Sequence, residues 1–373
     1  MTSEELFKKL NFHFNQSLPF VVYRKPNIEE AIVILQNTVQ LYTTDQFIET
    51  GFVFAPFDSN ETAILIPLEH SEMFSVISEN VKTSQNETVA KTSDSEQTKA
   101  FHINLVQEGI DAIKNGDLRK VVLSRTETVK LSKINTIELF KRLSSNYPNA
   151  FVYCFFHPKV GIWLGATPET LLKIDGHQFY TTALAGTQKF EGKLDVQWKP
   201  KEKDEQNIVT NFIADHLKPI VQKLTIDKVE TVKAGSLLHL KSNISGTLDF
   251  RSLNMKQMLS TLHPTPAVCG FPKEEAKQFI LKHENYNREF YTGFLGELNF
   301  KERKIRNSNR RNVENNAYSS ITNNSNLFVN LRCVQLKPNE AMIYVGGGIT
   351  IDSNPVEEWE ETVNKTQTIK SVL

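Results

Sequence analysis

The sequence predicts a mixed α/β fold, in one large domain or two ordinary ones. Segments with apolar residues at helical spacing, such as Ile103, Val106, Ile110 and Ile113, alternate with short apolar runs typical of strands, such as residues 120–125. The 373 residues are 39% hydrophobic, which is enough for a sizeable core. A polar stretch over residues 78–99 separates two such mixed portions and is the best candidate boundary.

Composition and charge exclude several classes of protein. Lys plus Arg equals Asp plus Glu, at 43 each, so no overall field favours nucleic acid or an anionic membrane. The three cysteines, Cys154, Cys269 and Cys333, are far apart, which favours buried thiols over a disulfide or a metal cluster. The N-terminus has no apolar signal-peptide segment, and no apolar run has membrane-spanning length. We therefore expect a cytoplasmic protein.

Local patterns predict the elements of the first 77 residues. Residues 51–57 (GFVFAPF) alternate apolar and small side chains and stop before a cluster of Asp, Ser and Asn, as a strand does. Around it we expect a helix over residues 4–14, a strand over 18–23, a helix or connecting segment over 27–36, and a strand over 63–67.

The rest of the chain contains longer elements. Gly116 can end a helix over residues 101–113. Two prolines exclude a helix across residues 263–266. Residues 301–326, rich in Asn, Arg and Ser, are expected to form a long exposed loop. The other expected elements are strands over 120–125, 151–156, 160–164, 171–174, 180–184, 237–250, 290–300 and 327–336, turns over 165–170 and 185–187, a bulge at Gly246, and helices over 204–224, 255–262 and 273–282.

The stretch over residues 341–365 suggests a binding site. Three glycines, residues 346–348, follow a buried strand and let the backbone approach a ligand closely, because no Cβ intervenes. On the helix that follows, Glu358, Glu361 and Lys365 share one face, since they are three and four residues apart. This arrangement can hold a metal ion and an anionic ligand. The alternative is a glycine turn beside a solvated helix face.

Seven motifs together resemble a known family. In chain order they are KVVLSR (120–125), GATPETLL (165–172), LAGT (184–187), HLKSNISGTL (239–248), LHPTPAVCGFP (262–272), FVNLRC (328–333) and the stretch over residues 344–365. The ordered set resembles the chorismate-utilising enzymes, and among them the isochorismate synthases most. The resemblance implies an α/β (α+β) fold of two packed antiparallel sheets flanked by helices in one large domain. It also implies that residues 1–99 are integral to this fold and that residues 100–373 form the chorismate-binding catalytic region.

The resemblance assigns the proton transfers to Lys120 and Glu169. In the family's reaction, water adds at C2 of chorismate and the hydroxyl at C4 leaves, so the site needs a base and an acid. Lys120 matches the base, which accepts a proton only as a neutral amine, a form that burial or a nearby cation favours. Glu169 matches the acid, whose pKa must be raised by apolar surroundings. The alternatives are a solvent-facing strand lysine and a turn glutamate.

Magnesium is the cofactor that the resemblance implies. Glu205 and Glu361 match two carboxylate ligands, and Mg²⁺ takes the rest of its shell from water and substrate. Glu358 is expected to support the metal through a water or from behind these ligands. The family usually has histidine directly after the first ligand, where this chain has Gln206. That departure leaves Glu202 as an alternative ligand.

The other matched positions are expected to bind chorismate itself. Arg332 can grip the enolpyruvyl carboxylate with its planar fork, with Tyr291 beside it. His239 is expected near the ring hydroxyl, with a satisfied core histidine as the alternative. Ala267 and Val268 are expected to line the ring, at positions where related enzymes differ. The same expectation of substrate contact covers Gly186, Thr187, Gly346, Gly347 and Lys365.

Single positions in the sequence distinguish this chain from enzymes with related activities. Anthranilate synthases place no lysine where Lys120 stands, and aminodeoxychorismate synthases carry a nucleophilic lysine in the stretch that corresponds to residues 183–187, which is ALAGT here. A salicylate synthase and a catalytically silent chorismate-binding relative remain open alternatives. We expect a monomer that binds chorismate, without nucleic acid or membrane as partners. The sequence leaves open whether the product serves menaquinone or siderophore biosynthesis.

Overall fold

The computed structural model describes residues 2–77, 96–131, 135–234, 237–248, 254–304 and 320–373. Within these residues seven helices form: α1 (Ser3–Asn15), α2 (Glu96–Lys114), α3 (Thr136–Asn146), α4 (Pro200–Leu217), α5 (Met255–Leu262), α6 (Lys273–His283) and α7 (Pro355–Lys370). The same residues form nineteen strands: β1 (Phe20–Arg24), β2 (Glu30–Gln36), β3 (Tyr42–Thr44), β4 (Gly51–Ala55), β5 (Ala63–Pro67), β6 (Ser71–Ile77), β7 (Lys120–Lys130), β8 (Phe151–His157), β9 (Gly161–Thr167), β10 (Thr170–Asp175), β11 (Gln178–Lys189), β12 (Lys223–Ile226), β13 (Glu230–Ala234), β14 (Leu237–Thr247), β15 (Gly270–Phe271), β16 (Phe294–Lys304), β17 (Ser320–Val329), β18 (Cys333–Lys337) and β19 (Glu340–Ile349).

The strands of the described residues pair antiparallel into two sheets. The first sheet has nine strands in the order β15-β7-β19-β18-β9-β8-β1-β2-β6. The second sheet has ten, in the order β12-β14-β11-β10-β17-β16-β4-β5-β3, with β13 also paired to β14. Strands that precede residue 78 lie in both sheets, because β1, β2 and β6 join the first and β3, β4 and β5 join the second.

An aromatic core joins the two sheets. Phe151 of β8 stacks on Phe328 of β17 with ring centroids 4.2 Å apart, so the contact runs from one sheet to the other. Beside it, the Tyr23 hydroxyl of β1 donates to Glu297 Oε1 of β16 over 2.7 Å, which satisfies two buried polar groups at once.

Helices cover the outer faces. One hydrophobic cluster combines residues of α1, α3 and α7 with the first sheet, and another combines residues of α4 and α5 with the second. The expected arrangement of two packed antiparallel sheets with flanking helices is therefore confirmed.

Several expected elements occur where the sequence placed them. The helices expected over residues 4–14, 101–113, 255–262 and 273–282 correspond to α1, α2, α5 and α6. The strands expected over residues 151–156 and 160–164 correspond to β8 and β9, which pair antiparallel. Helix α7 begins at Pro355 because the Asn354 side chain accepts hydrogen bonds from the first backbone N–H groups. The three cysteines are buried free thiols, as expected.

Two expected turns and one expected bulge are wrong, and strand pairing explains each. β9 continues into the expected turn over residues 165–170, as far as Thr167, because it pairs with β18 at Gly165 and with β8 through Thr167. β11 continues through the expected turn over residues 185–187 because it pairs with β14 along its length. β14 pairs with β11 in a continuous register at Gly246, where a bulge was expected. The irregularity of this strand pair lies in β11, at Gly186.

Three other bounds also differ from expectation. Residues 27–36 do not form a helix; they contain β2, whose continuous apolar run is buried as a sheet strand. Helix α4 begins at Pro200 rather than near residue 204, because proline suits the first helical turn. The single strand expected over residues 327–336 is two strands, separated where Arg332 adopts a positive φ of 50°.

The two expected polar loops fall partly outside the described residues. Residues 78–95 lie outside them, and α2 begins at Glu96, within the expected loop. The ends of the loop expected over residues 301–326 belong instead to β16 and β17, and residues 305–319 lie outside the described part. No helix of the described part is long and apolar enough to cross a membrane.

Candidate active site

A cavity of about 690 Å³, including its open mouth, lies beside the glycines of β19. Of the sixteen residues that the sequence analysis selected, fourteen line this cavity. They are Glu169, Gly186, Thr187, Glu205, His239, Ala267, Val268, Tyr291, Arg332, Gly346, Gly347, Gly348, Glu361 and Lys365. The other two, Lys120 and Glu358, contact lining residues from behind. The structure thus gathers residues that are up to 245 positions apart in the sequence, as 120 and 365 are.

Glycines of β19 make room for the carboxylates. The strand stays paired with β7 through all three glycines, so they form one wall rather than a turn after the strand. A Cβ on Gly348 would lie 2.2 Å from Glu205 Oε1 and 3.1 Å from Lys120 Cε. A Cβ on Gly347 would lie 3.3 Å from Glu358 Oε2. The missing side chains therefore provide the space in which these charged groups meet.

Lys120 begins β7 and is fully buried. Its Nζ lies 2.8 Å from Glu205 Oε1. The base role that the resemblance implies calls for burial or a nearby cation. The structure provides the burial, but the ionic partner at this distance is the Glu205 carboxylate.

Glu169 lies between β9 and β10 and is buried. Its backbone is fixed on both sides, because its N–H donates to Thr167 Oγ1 and its carbonyl accepts from the Val329 N–H. Burial raises the pKa of Glu169 to about 8, although the charge of Lys120 acts to lower it. Its carboxyl therefore keeps a proton at neutral pH, which is the state that a general acid needs.

Three carboxylates and three lysines form a charge cluster at one end of the cavity. Glu205 pairs with Lys120, Glu361 pairs with Lys365 over 2.5 Å, and Glu358 pairs with Lys201. Burial would raise the pKa of Glu205, but the nearby lysines together lower it. Burial and the neighbouring Glu361 raise the pKa of Glu358. Lys201 was not selected from the sequence.

The residues present are suited to Mg²⁺. No group of three or more His, Cys, Asp or Glu side chains in the described residues has the arrangement of a complete metal site. Two carboxylates, Glu205 and Glu361, nevertheless face the cavity, and Glu358 Oε2 is buried without a hydrogen-bond partner among the described residues. Mg²⁺ needs only a small number of protein oxygens, because it completes its coordination shell with water and substrate.

Gln206 lies on a different side of α4 from Glu205. Its Nε2 donates to the Ala183 carbonyl, and it is buried against β11 rather than directed into the cavity. Glu205 consequently faces Lys120 and the glycines, whereas Glu202, the alternative ligand, packs beside Gly186 and does not line the cavity.

His239 has a defined tautomer. Its Nδ1 lies 2.9 Å from the Gly186 carbonyl oxygen, which can only accept, so Nδ1 carries the hydrogen. Burial, Arg332 and Lys365 lower the pKa of His239 to about 3, so the ring is neutral. Its Nε2 is then an acceptor, buried and without a partner among the described residues. A substrate hydroxyl can supply the missing donor.

Cationic and hydroxyl donors also line the cavity. Arg332 lines the cavity, and its Nη1 is buried without a partner among the described residues. Burial raises the pKa of Tyr291, so its hydroxyl stays a neutral donor. Lys365 Nζ donates to the Gly346 carbonyl over 2.8 Å. The unpartnered Nη1 of Arg332 and the neutral hydroxyl of Tyr291 together suit a carboxylate ligand.

Some residues of the cavity wall were not predicted from the sequence. Most of the omitted residues adjoin selected ones within the same motifs, so proximity in sequence was the available signal. They are Val122, Pro168, Leu184, Ala185, Thr292, Leu331, Tyr344 and Val345. Lys201 offers a different signal, because it precedes Glu205 by four residues and so shares its helix face.

Comparisons with known proteins agree on one family. A family model described as chorismate binding enzyme matches residues 11–304, and a second with the same description matches residues 317–371. The chain is 29% identical over 280 residues to isochorismate synthase MenF of Pasteurella multocida, a match covering 72% of this chain and 60% of that protein. It is 27% identical over 283 residues to isochorismate synthase DhbC of Bacillus subtilis, covering 71% and 66%. The matches thus span less than two thirds of these curated relatives.

A solved structure has the same fold. The crystal structure of DhbC from Bacillus anthracis superposes with a TM-score of 0.76 at 24% identity, and the match covers 95% of this chain and 96% of that one. At this identity the likeness concerns the fold, and it confirms the expected chorismate-utilising fold of packed sheets and flanking helices.

Proposed function

Because the chain belongs to the family of chorismate binding enzymes, we propose that it is an isochorismate synthase, which isomerises chorismate to isochorismate. The observation that carries the proposal is the proximity of two groups suited to proton transfer, Glu169 in the cavity wall and Lys120 behind that wall. Glu169 is a buried carboxyl with a pKa of about 8, and buried Lys120 is close enough for its charge to act on that pKa.

The reaction exchanges one hydroxyl for another, and the chain supplies a group for each proton. Lys120 accepts a proton from the water that attacks C2 of the ring. Glu169 donates a proton to the hydroxyl that leaves C4, so a second water is released and the atoms balance. The Glu205 carboxylate contacts Lys120 and also faces the cavity, so the base is held next to a group of the binding site.

The carboxylates and the ring hydroxyl of chorismate can pair with polar groups of the cavity that lack hydrogen-bond partners among the described residues. Arg332 and Tyr291 bind the enolpyruvyl carboxylate, and Lys365 lies near the glycine wall where the ring carboxylate is placed. His239 Nε2 accepts a hydrogen bond from the ring hydroxyl, since Nδ1 is already committed to a carbonyl. Small Ala267 leaves space for the ring.

Magnesium is part of the proposal. Glu205 and Glu361 would hold the ion, with Glu358 beside them, and the bound ion would neutralise a substrate carboxylate. These side chains offer hard carboxylate oxygens, and one of them, Glu358 Oε2, is buried without a hydrogen-bond partner among the described residues.

The first experiment separates this function from its alternatives. The purified protein is incubated with chorismate, with and without Mg²⁺, and the products are separated by chromatography. We expect isochorismate alone and only with Mg²⁺. Salicylate and pyruvate would instead identify a salicylate synthase. Saturable chorismate binding without turnover would identify a silent relative and contradict the proposal.

A further inference from the structure

Lys201 is a charged residue at the site to which the proposed reaction gives no role. It lies on α4 one turn before Glu205, and its ammonium pairs with Glu358 of α7. The Lys201 side chain is 20% exposed and that of Glu358 is 3% exposed. The pair therefore joins two helices at the edge of the carboxylate cluster, where one partner is reachable from solvent.

The charge cluster is balanced in this arrangement. Glu205, Glu358 and Glu361 carry three negative charges, and Lys120, Lys201 and Lys365 carry three positive ones. Lys120 and Lys365 are each tied to the glycine wall, because Lys120 packs under Gly348 and Lys365 donates to the Gly346 carbonyl. Lys201 instead reaches the cluster from the first turns of α4, through a long and rotatable side chain.

We propose that Lys201 is a tethered cation that competes with the divalent ion for these carboxylates and thereby sets the metal affinity of the site. The inference rests on the proposed function insofar as that function gives the carboxylates a metal to bind. Lys201 compensates the buried Glu358 charge when no metal is present, and it must yield or be repelled when two further positive charges arrive. Removing its charge leaves the cluster with a net negative charge and strengthens metal binding.

The chain provides a matched control for the test. Lys201→Met removes the charge but keeps the length of the side chain. Lys203→Met makes the same charge change on the same helix at an exposed position. The probe is Mn²⁺ without chorismate, with free Mn²⁺ counted by electron paramagnetic resonance. We expect Lys201→Met to bind Mn²⁺ at least about tenfold more tightly than wild type, whereas Lys203→Met and Lys201→Arg stay within about twofold.

Thermal unfolding separates this role from a purely structural one. Without metal, Lys201→Met is expected to unfold at a lower temperature, because Glu358 is left uncompensated. Added Mn²⁺ should raise its melting temperature more than that of wild type, since tighter binding gives greater stabilisation. A lower melting temperature without tighter binding would overturn the proposal and leave Lys201 as a structural bridge.

The outcome is independent of the activity assay. Unchanged or weaker Mn²⁺ binding in Lys201→Met, in a wild-type protein that makes isochorismate, overturns the inference and leaves the proposed function standing. Tighter Mn²⁺ binding in a protein that does not convert chorismate supports the inference and overturns the function.

Discussion

Glu169 is an ionisable residue in a buried position. Burial raises the pKa of its carboxyl to about 8, against the opposing effect of Lys120. A carboxyl of this pKa holds its proton at neutral pH and can release it to a leaving hydroxyl. Above that pH the folded chain must keep a carboxylate away from water, so ionisation of Glu169 weakens the fold.

The rate should follow the protonation of Glu169. We expect turnover to fall as the pH rises through about 8, because the acid form is lost. Glu169→Gln cannot donate the proton and should lose a factor of about 10²–10⁴ in kcat, with no remaining inflection near that pH. The measurement is kcat between pH 6 and pH 10. A wild-type rate that rises through pH 8 would show that the ionised carboxylate is the active form.

The same substitution predicts a change in stability. The pKa of Glu169 is raised in the folded state above its ordinary value of 4.5, so the folded protein binds the proton more tightly than the unfolded chain. Stability therefore falls as the pH rises from about 4.5 through about 8. Glu169→Gln resembles the protonated acid and should be more stable than wild type at pH 8.5. The difference should vanish near pH 4, as urea unfolding at both pH values will show.

Lys120 is expected to act on water and not on substrate binding. Lys120→Ala should abolish turnover, because the base is removed, while chorismate still binds in the presence of Mg²⁺. Product chromatography measures the first effect and isothermal titration calorimetry the second. Loss of chorismate binding together with turnover would instead make Lys120 a substrate ligand.

The resemblance of the ordered motifs to a family supplied most of the site prediction. The motifs around Lys120, Glu169 and Arg332 each contain a residue type that the chemistry needs, and their order along the chain indicated one site. Lys201 was missed because a lysine in a charged segment has no distinctive local pattern, and its partner Glu358 is 157 residues away. The ion pair between Lys120 and Glu205 was missed for the same reason, since only the fold brings the two together.

At the scale of elements, glycines decide how closely strands and helices approach the site. Gly186 forms a bulge in β11 with a φ of +71°, and its carbonyl orients His239. A Cβ there would lie 3.0 Å from Glu202 Cβ and 3.1 Å from the Glu202 carbonyl oxygen. Only glycine allows α4 to lie this close to the bulge, and α4 carries Glu205 into the cavity.

Gly186→Ala should consequently affect both stability and activity. The left-handed backbone alone costs about 1–2 kcal/mol for a residue with a Cβ. Gly116→Ala is the matched control, because Gly116 has a φ of +86° and open space around its Cβ position. We expect both variants to lose stability in urea unfolding, but only Gly186→Ala to lose turnover, since it shifts Glu202 and the His239 contact. Equal activity in the two variants would contradict this role of the close approach.

Elements were predictable where their signal is local. The helix α7 has a capping Asn354 and a proline at its start, and both could be read directly. The strand β2 could not, because five consecutive apolar residues fit a buried helix segment as well as a strand. The turns expected near Gly165 and Gly186 failed for a related reason: pairing with β18 and β14 continues the strands past residues that favour turns.

For the whole molecule, both sheets contain strands from each portion of the chain. β1 pairs with β8, and β4 pairs with β16, so strands before residue 78 are hydrogen-bonded to strands after residue 96 in each sheet. The sequence showed a polar stretch that resembles a domain boundary, and only the resemblance to a family argued that the two portions belong to one fold. We therefore expect residues 1–99 and 100–373 to unfold together.

The variant Phe328→Ala tests whether the two portions of the chain unfold together. Phe328 of the second sheet is 6% exposed and stacks on fully buried Phe151 of the first, so its loss opens a cavity between the sheets. The expected cost is about 3–5 kcal/mol, against about 0.5 kcal/mol or less for Phe12→Ala on the exposed face of α1. Urea unfolding is followed by tryptophan fluorescence and by far-ultraviolet circular dichroism. If the chain is one cooperative unit, both signals shift together to lower urea. Two transitions, of which only one responds to Phe328→Ala, would show that the N-terminal portion is a separate folding unit despite its place in both sheets.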